Sequence, residues 1–501
     1  MERNQRLVLV ASILGSFVAF LDMAVVNVAL PAIHADLGGG FAAEQWIVDA
    51  YLLALGSLIL VAGSLSDLFG RKRVFAAGLL GFAATSVLAA FSPSVPVLIV
   101  ARGLQGIAGS LLVPSSLALI IATFTGPAQG KAIGTWTAWT GISFVVGPLL
   151  GGILVDAGSW RWVFAINVLP VAVTLAVLGR VAREPPGDPS NRVDLAGALL
   201  CATGLGGVIF ALIEAPGRGW SEPVIAAALV GGLLAFGGFL VRERLARRPM
   251  LDLGLFRNRN FAMGNLATVA IYAGLSVSTF LITLFLQQVA RYSATRAGLA
   301  LVPVTLVMFA LSPLFGRLSG RLGPRLFMTA GPIVAGIGFA LMTRLDARGD
   351  YVLGLLPGVL VFALGLASTV APLTAATLGD VDQHHAGVAS AVNNAVARVA
   401  GLLAVAALGA VLNARFSAAL DARTAGEALT PATTEFLAQA RRRPLDTTVP
   451  PALARATPRL RPLLEDASVV AFHGGLWGAA GLLLAGGLVS AAGIRNPPRK
   501  E

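Results

Sequence analysis

Residues 7–31 read LVLVASILGSFVAFLDMAVVNVALP, 25 residues in which Asp22 is the one formally charged side chain. A helix rising ~1.5 Å per residue covers ~37 Å over this length, enough to cross a ~30 Å hydrocarbon core with some tilt. The stretch predicts a membrane span and sets a carboxyl group inside it. An ionised carboxylate at that depth costs several kcal/mol unless compensated, so Asp22 must be protonated, paired or facing a watery cavity. It is either a structural acid bonded to a neighbouring helix or a functional group, and the rarity of intramembrane acids without a role favours the second.

The rest of the chain has the same character. Hydrophobic residues make up 56% of it, charged residues only 12%, and the mean hydropathy is +0.80. Those values exclude a water-soluble globular domain of this length. The single cysteine, Cys201, rules out an intramolecular disulfide. Arg3 and Arg6 give the N-terminus the positive start of a signal peptide, but the apolar run that follows is too long and lacks a small-residue cleavage site. It reads as a retained first span. The net charge of +12 is almost all arginine, placed mostly in short loops between apolar runs, a pattern of membrane topology that gives no support to a nucleic-acid face.

Fourteen apolar runs follow one another, near 7–31, 45–66, 74–91, 96–122, 131–154, 162–180, 194–213, 223–241, 261–289, 297–316, 326–343, 351–378, 388–411 and 468–493. With the N-terminus assigned to the cytoplasm, 21 basic residues fall in inner segments and six in short outer loops, so both termini are expected to be cytoplasmic. Trp46, Trp160, Trp162 and Trp220 fall at expected outer ends, as an interfacial belt requires. Residues 412–467 form one long outer loop broken by prolines, expected to be a solvated cap with short amphipathic helices. Two arginines remain inside spans, Arg102 and Arg398, and each needs a carboxylate, backbone carbonyls or water.

An internal repeat organises the spans. GSLSDLFGRKR from Gly63 and GRLSGRLGPR from Gly316 share glycine, leucine, glycine and a basic residue at offsets zero, two, seven and nine. If spans 7 and 8 are extra, the chain reads as six, two and six: an N-terminal six-helix bundle over 1–185, a two-helix insert over 186–258, and a C-terminal six-helix bundle over 259–501 that carries the long loop. Duplicated bundles are how secondary transporters place a site between two halves.

At this point the motifs resemble a known family. LDMAVVNVALP at 21–31, GSLSDLFGRKR at 63–73, RGLQG at 102–106, GISFVVGPLLGG at 141–152, WRWVFAIN at 160–167, RYSATRAGLALVP at 291–303 and GVASAVNNAVARVAG at 387–401 are similar to stretches of the major facilitator superfamily. The likeness is to its 14-helix drug:proton antiporter group, of the EmrB/QacA type, over essentially the whole chain. Leu68 stands where that family usually carries a basic residue, and Val399 where it usually has glutamine. The fold implied is an all-α polytopic membrane protein of 14 transmembrane helices, two six-helix bundles plus two inserted linker helices.

The residues and the resemblance together assign roles. Asp22 and Arg102 are the expected proton-coupling pair: a nearby guanidinium favours the ionised acid, apolar surroundings favour the protonated one, and arginine stays charged throughout. Gly63, Asp67, Gly70, Arg71 and Arg73 form the expected conformational gate, the glycines for turning and the charges for an ion pair that holds one face shut, unless the basic residues only enforce topology. Gly141, Gly147, Pro148, Gly151 and Gly152 are read as small-residue packing on span 5, which the resemblance sets against its counterpart in the other half. A largely apolar substrate cavity is expected around Asn27, Asp49, Gln105, Asn265, Tyr272, Gln287, Asn393, Asn394 and Arg398, while Glu214 looks like loop chemistry.

The implied function is proton-driven efflux of amphipathic, often cationic compounds across the cytoplasmic membrane by a monomer that is not an enzyme. The partners expected are a small amphipathic substrate, protons and the lipid bilayer, with no nucleic acid. No cofactor is expected; the histidines show no metal-ligand spacing and no GxxxxGK[ST] loop points to ATP. Two alternatives stay open: export of an endogenous lipid, antibiotic or metabolite on the same fold, and a non-transporting scaffold or sensor whose outer loop binds a partner.

Overall fold

The computed structural model describes residues 3–124, 126–182, 194–246, 249, 251, 253–379, 386–425, 429–441 and 443–496, apart from some side chains inside helices. No β-strand occurs among them. In chain order the helices are α1 (Arg3–Leu37), α2 (Phe41–Phe69), α3 (Arg71–Ala90), α4 (Val95–Thr123), α5 (Gly126–Ala157), α6 (Trp162–Gly179), α7 (Leu195–Arg218) and α8 (Pro223–Leu245). They continue with α9 (Arg259–Gln288), α10 (Ala294–Leu322), α11 (Pro324–Met342), α12 (Leu356–Gly379), α13 (Ala386–Thr424), the short α14 (Pro431–Ala440) and α15 (Pro451–Ala456), and α16 (Leu460–Gly493). Thirteen described helices are long and apolar enough to cross a membrane. The fourteenth is α5, 32 residues long, with Val146–Ala157 as its described apolar stretch.

The chain forms two compact units. Unit 1 comprises residues 1–38, 46–207 and 230–252, and unit 2 comprises 39–45, 208–229 and 253–501. The same helix pairs recur inside each. In unit 1, α1 packs on α4, α5 and α6, and α3 on α4 and α6; in unit 2, α9 packs on α12, α13 and α16, and α11 on α12 and α16. The short sequence repeat has a matching backbone. Gly70, between α2 and α3, has φ 93 and ψ 133; Gly323, between α10 and α11, has φ 89 and ψ 149. Both conformations are costly for any residue with a Cβ. Gly63 does not turn the chain; it lies inside α2.

The RGLQG motif is explained by one close approach. A Cβ on Gly106 would stand 2.3 Å from the Tyr51 carbonyl oxygen, so this glycine lets α4 lie directly on the α2 backbone. Gly103 of the same motif faces open space. Elsewhere the arginines flanking unit 2 do more than set topology: Arg259 donates to the carbonyls of Ala492 and Gly493, and Arg325 to that of Ala491, at the C-terminal end of α16. Cations there satisfy orphan carbonyls and complement the helix dipole.

Two expectations need correction. Trp160 is not an interfacial anchor: it is buried, its ring meets Phe164 edge-on at 6.0 Å, and its Nε1 donates to Asp36 at 2.9 Å. Trp162 and Trp220 are exposed as a belt would have them. Asp36 lies past the apolar run of α1, and hydrogen bonds from Arg161 and then Trp160 hold its carboxyl below the usual carboxylate range. The long loop is also shorter than read, because α13 runs on to Thr424 and α16 starts at Leu460. What lies between is docked on unit 2: Leu437 and Leu445 are buried, and Thr447 Oγ1 donates to the Gln288 carbonyl at the end of α9 while accepting from Arg291.

Replacing Gly106 with alanine forces α2 and α4 apart and is expected to cost roughly 1–3 kcal/mol, seen as a lower thermal midpoint in detergent. The Gly103→Ala protein should melt at or slightly above the parent temperature, since alanine is the better helix residue where space is open.

Candidate functional site

Five helices of unit 1 meet at Asp22. The side chain is fully buried, and Arg102 from α4 is 1% exposed. Arg102 Nη1 donates to Asp22 Oδ2 at 2.5 Å and to Gln105 Oε1 at 2.6 Å. The other oxygen, Oδ1, accepts from Gln105 Nε2 at 2.9 Å and from Asn167 Nδ2 of α6 at 2.7 Å. Ser86 Oγ of α3 accepts from both amides, at 2.9 and 3.3 Å. Helix α2 closes the far side of the guanidinium: Arg102 Nε donates to the Ile47 carbonyl at 3.1 Å, and the Tyr51 ring centroid lies 4.3 Å from the guanidinium carbon. The charge therefore has an anion, a backbone carbonyl and an aromatic face.

Local sequence explains the convergence. Arg102 and Gln105 are one helical turn apart, so both point from the same face of α4. Asn167 closes the WRWVFAIN stretch at the bend between the two pieces of α6. Sequence reasoning found Asp22, Arg102 and Gln105 but not Asn167, Ser86 or Tyr51. Asn167 carried a signal, a lone amide at the head of an apolar helix; Ser86 and Tyr51 carried none.

The other expected residues are distributed as follows. Asp49 of α2 is fully buried, and neither of its carboxylate oxygens has a hydrogen-bond partner. Asn27 Nδ2 bonds back to the Met23 carbonyl, and its Oδ1 is buried without a partner. In unit 2, Asn393 Nδ2 donates to Asn265 Oδ1 at 3.1 Å and Thr268 Oγ1 at 3.0 Å, tying α13 to α9. Tyr272 and Arg398 are half-buried and Asn394 is exposed, on those same two helices; Gln287 is the residue before the end of α9 at Gln288. Glu214 is paired with Arg218 at 3.0 Å at the end of α7. Arg71 and Arg73 flank Lys72, whose Nζ reaches the Val181 carbonyl; the Asp67 side chain lies outside the described residues, as does Gly141. No cluster of metal-ligating side chains occurs among the described residues.

The glycine face of α5 has a partner within unit 1. A Cβ on Gly147 would stand 2.5 Å from the Ala24 Cβ, and one on Gly151 3.0 Å from Val25, so these glycines admit α1. Gly152 is buried beside them, and Pro148 lies inside the helix. The face that the resemblance set against the other half is used, at these two positions, to bring α5 onto the helix that carries Asp22.

Fold and site together define a polytopic helical carrier built from duplicated bundles, with an ion pair sealed inside one of them. Residues 12–405 match the sequence pattern of the Major Facilitator Superfamily, and the chain belongs to that family. Among its relatives are the multidrug resistance protein Stp of Mycobacterium tuberculosis, 34% identical with 84% of this chain and 78% of that protein covered, and the puromycin resistance protein pur8 of Streptomyces alboniger, 36% identical with 80% and 81% covered. The tetracenomycin C resistance and export protein of Streptomyces glaucescens is 34% identical, with 81% and 76% covered. The fold is also that of a bacterial homologue of the human lysosomal transporter Spinster, with a TM-score of 0.69 at 16% identity and 99% and 100% covered.

Removing one partner of the pair strands the other. The Arg102→Met protein should lose roughly 3–5 kcal/mol of stability, and adding Asp22→Asn should restore part of it, because the neutral amide leaves no uncompensated charge. Thermal melts of the two single variants and the double variant in detergent check the cycle.

Proposed function

We propose that this chain is a proton-coupled exporter that moves amphipathic, often cationic compounds outward across the cytoplasmic membrane by alternating access. It works as a monomer with both termini in the cytoplasm, and its six, two and six organisation supplies the two moving halves. The observation that carries the reading is the sealed Asp22–Arg102 pair, a titratable acid held in a span by a cation that never loses its charge. The names of its relatives, resistance proteins and an export protein, support it.

The coupling follows from what holds Asp22. Arg102, Gln105 and Asn167 all donate to it in this arrangement, and coupling requires a second arrangement of the bundle in which those donors withdraw and a proton reaches the acid. If substrate and proton each prefer a different arrangement of the bundle, movement of one drives the other. Gly63, Asp67, Gly70, Arg71 and Arg73 act as the gate of one face. Gly141, Gly147, Pro148, Gly151 and Gly152 let α5 and α1 stay close as the bundle moves. Asn27, Asp49, Asn265, Tyr272, Gln287, Asn393, Asn394 and Arg398 line the route, with Gln105 positioning the arginine. Export of an endogenous product is the second reading, favoured by a relative whose name joins resistance to export of tetracenomycin C.

In proteoliposomes with an imposed proton gradient, Asp22→Asn is expected to abolish gradient-driven efflux while the protein stays inserted and folded, and Arg102→Ala to do the same. Undiminished efflux by the Asp22→Asn protein would refute the coupling role.

A further inference from the structure

Unit 1 has a cleft of about 440 Å³ at the end where the chain begins, lined by Arg3, Arg6, Leu7 and Val10 of α1 and by Val177 of α6. The four α1 residues stand at positions i, i+3, i+4 and i+7, one continuous face of the helix. The chemistry is graded along that face. Two guanidinium groups come first, two aliphatic side chains follow, and Val177 supplies the opposite wall. Two hydrogen bonds hold the walls: Asn4 Oδ1 accepts from the Ala182 N–H at 2.9 Å, and Lys72 Nζ of α3 donates to the Val181 carbonyl at 2.6 Å. The segment that follows α6 is thus tied to both α1 and α3, one turn beyond Val177.

The two arginines have no protein partner. Elsewhere span-end arginines are committed: Arg242 to Asp194, and Arg259 and Arg325 to carbonyls of α16. Arg3 and Arg6 are exposed and have no hydrogen bond or ion pair among the described residues. Arg180, three residues past Val177, is also exposed. Membrane topology asks only for charge near a span end; it does not ask for an aliphatic wall beside that charge.

What lies beyond the cleft selects its occupant. Val173 and Leu169, one and two turns from Val177 toward the middle of α6, are exposed, as is Val10 on α1. On a span, exposed aliphatic side chains meet acyl chains. A cationic pocket at headgroup level therefore opens onto an aliphatic track that runs into the hydrocarbon. Guanidinium groups fit phosphate oxygens as a two-pronged fork. Free phosphate would meet the cations and leave the aliphatic walls uncovered, and a zwitterionic lipid would bring its own ammonium against them.

We infer that this cleft is a binding site for an anionic glycerophospholipid, with Arg3 and Arg6 on the phosphate diester and the first part of an acyl chain along Leu7, Val10 and Val177. The bound lipid bridges α1 and α6, the helices that carry Asp22 and its donor Asn167. The inference concerns a bilayer partner and stands whichever way substrate moves.

The probes are dioleoylphosphatidylglycerol, dioleoylphosphatidylcholine and sn-glycerol 3-phosphate. Affinity for the first lipid bound by the purified, delipidated full-length protein is read by native mass spectrometry. The parent should prefer phosphatidylglycerol over phosphatidylcholine by about 25-fold, at roughly 5-fold for each arginine beside an anionic group. Arg3→Gln with Arg6→Gln should remove that preference by weakening phosphatidylglycerol alone. Arg317→Gln with Arg321→Gln, an equal loss of charge at exposed arginines of α10, should leave it whole. Glycerol 3-phosphate should not displace the lipid. Equal binding of the two lipids by the parent, a doubly substituted Arg3 and Arg6 protein that melts normally and keeps the preference, or an equal loss in the α10 pair would overturn the site. Displacement by glycerol 3-phosphate at concentrations matching the lipid's overturns it too, because the cleft then binds an anion and has no use for the acyl chain. The parent's ratio and the displacement need no variant, so they decide the matter even where a substituted protein fails to fold.

Discussion

One buried ion pair sets the register of unit 1. Two charges in hydrocarbon are expensive to desolvate, and the pair offsets that expense only when geometry is good and the remaining lone pairs and protons are satisfied. Satisfying Asp22 and Arg102 takes side chains from α3, α4 and α6 and a carbonyl and ring from α2, so five helices must arrive together. A slip of one residue in any of them leaves an unpaired group in a medium that punishes it. The close approach at Gly106 belongs to the same constraint. It lies one turn beyond Arg102, and only with α4 resting on the Tyr51 backbone can the guanidinium reach both the Ile47 carbonyl and the Tyr51 ring.

Much of this was legible in the chain because the bilayer simplifies the code. Long apolar runs and loop arginines mark spans, and a lone charge in a span announces that it needs a partner, which is why Asp22 and Arg102 were paired without a distance. The glycine repeat at Gly70 and Gly323 was legible because left-handed backbone excludes other residues at low cost. Asn167 and Ser86 were harder, since an isolated amide or hydroxyl in a helix can bond back to its own turn, as Ser57 and Thr85 do. Trp160 was misplaced for a related reason: position at a span end does not say which way the ring faces, and its Nε1 found Asp36 instead of an interface. The glycines of α5 advertise a close neighbour but not which one, and at Gly147 and Gly151 the neighbour is α1.

The two units repeat a scaffold and not its chemistry. α1 on α5 in unit 1 corresponds to α9 on α13 in unit 2. The first junction sets Gly147 and Gly151 against Ala24 and Val25, small and apolar, with one side-chain hydrogen bond further along, from Trp136 Nε1 of α5 to Ser16 Oγ of α1 at 3.1 Å. The second is stitched by Asn393 to Asn265 and Thr268, with Gly401 admitting Ser276. The same helix pairing thus carries different charge and hydrogen-bonding groups in each unit.

That difference has a mechanical meaning. Interhelical hydrogen bonds between side chains are directional, and sliding one helix past the other by even part of a turn breaks them in a medium without water to replace them. Contacts among glycine, alanine and valine carry no such direction, but the bond from Trp136 Nε1 to Ser16 Oγ ties α5 to α1 at another level. Small sliding of packed helices is one of the two common ways a bundle changes state. By that reasoning the α9–α13 junction, with Asn393 bonded to both Asn265 and Thr268, resists sliding there, while the α1–α5 junction is pinned at Ser16 and Trp136 and lacks directional contacts only around Gly147 and Gly151.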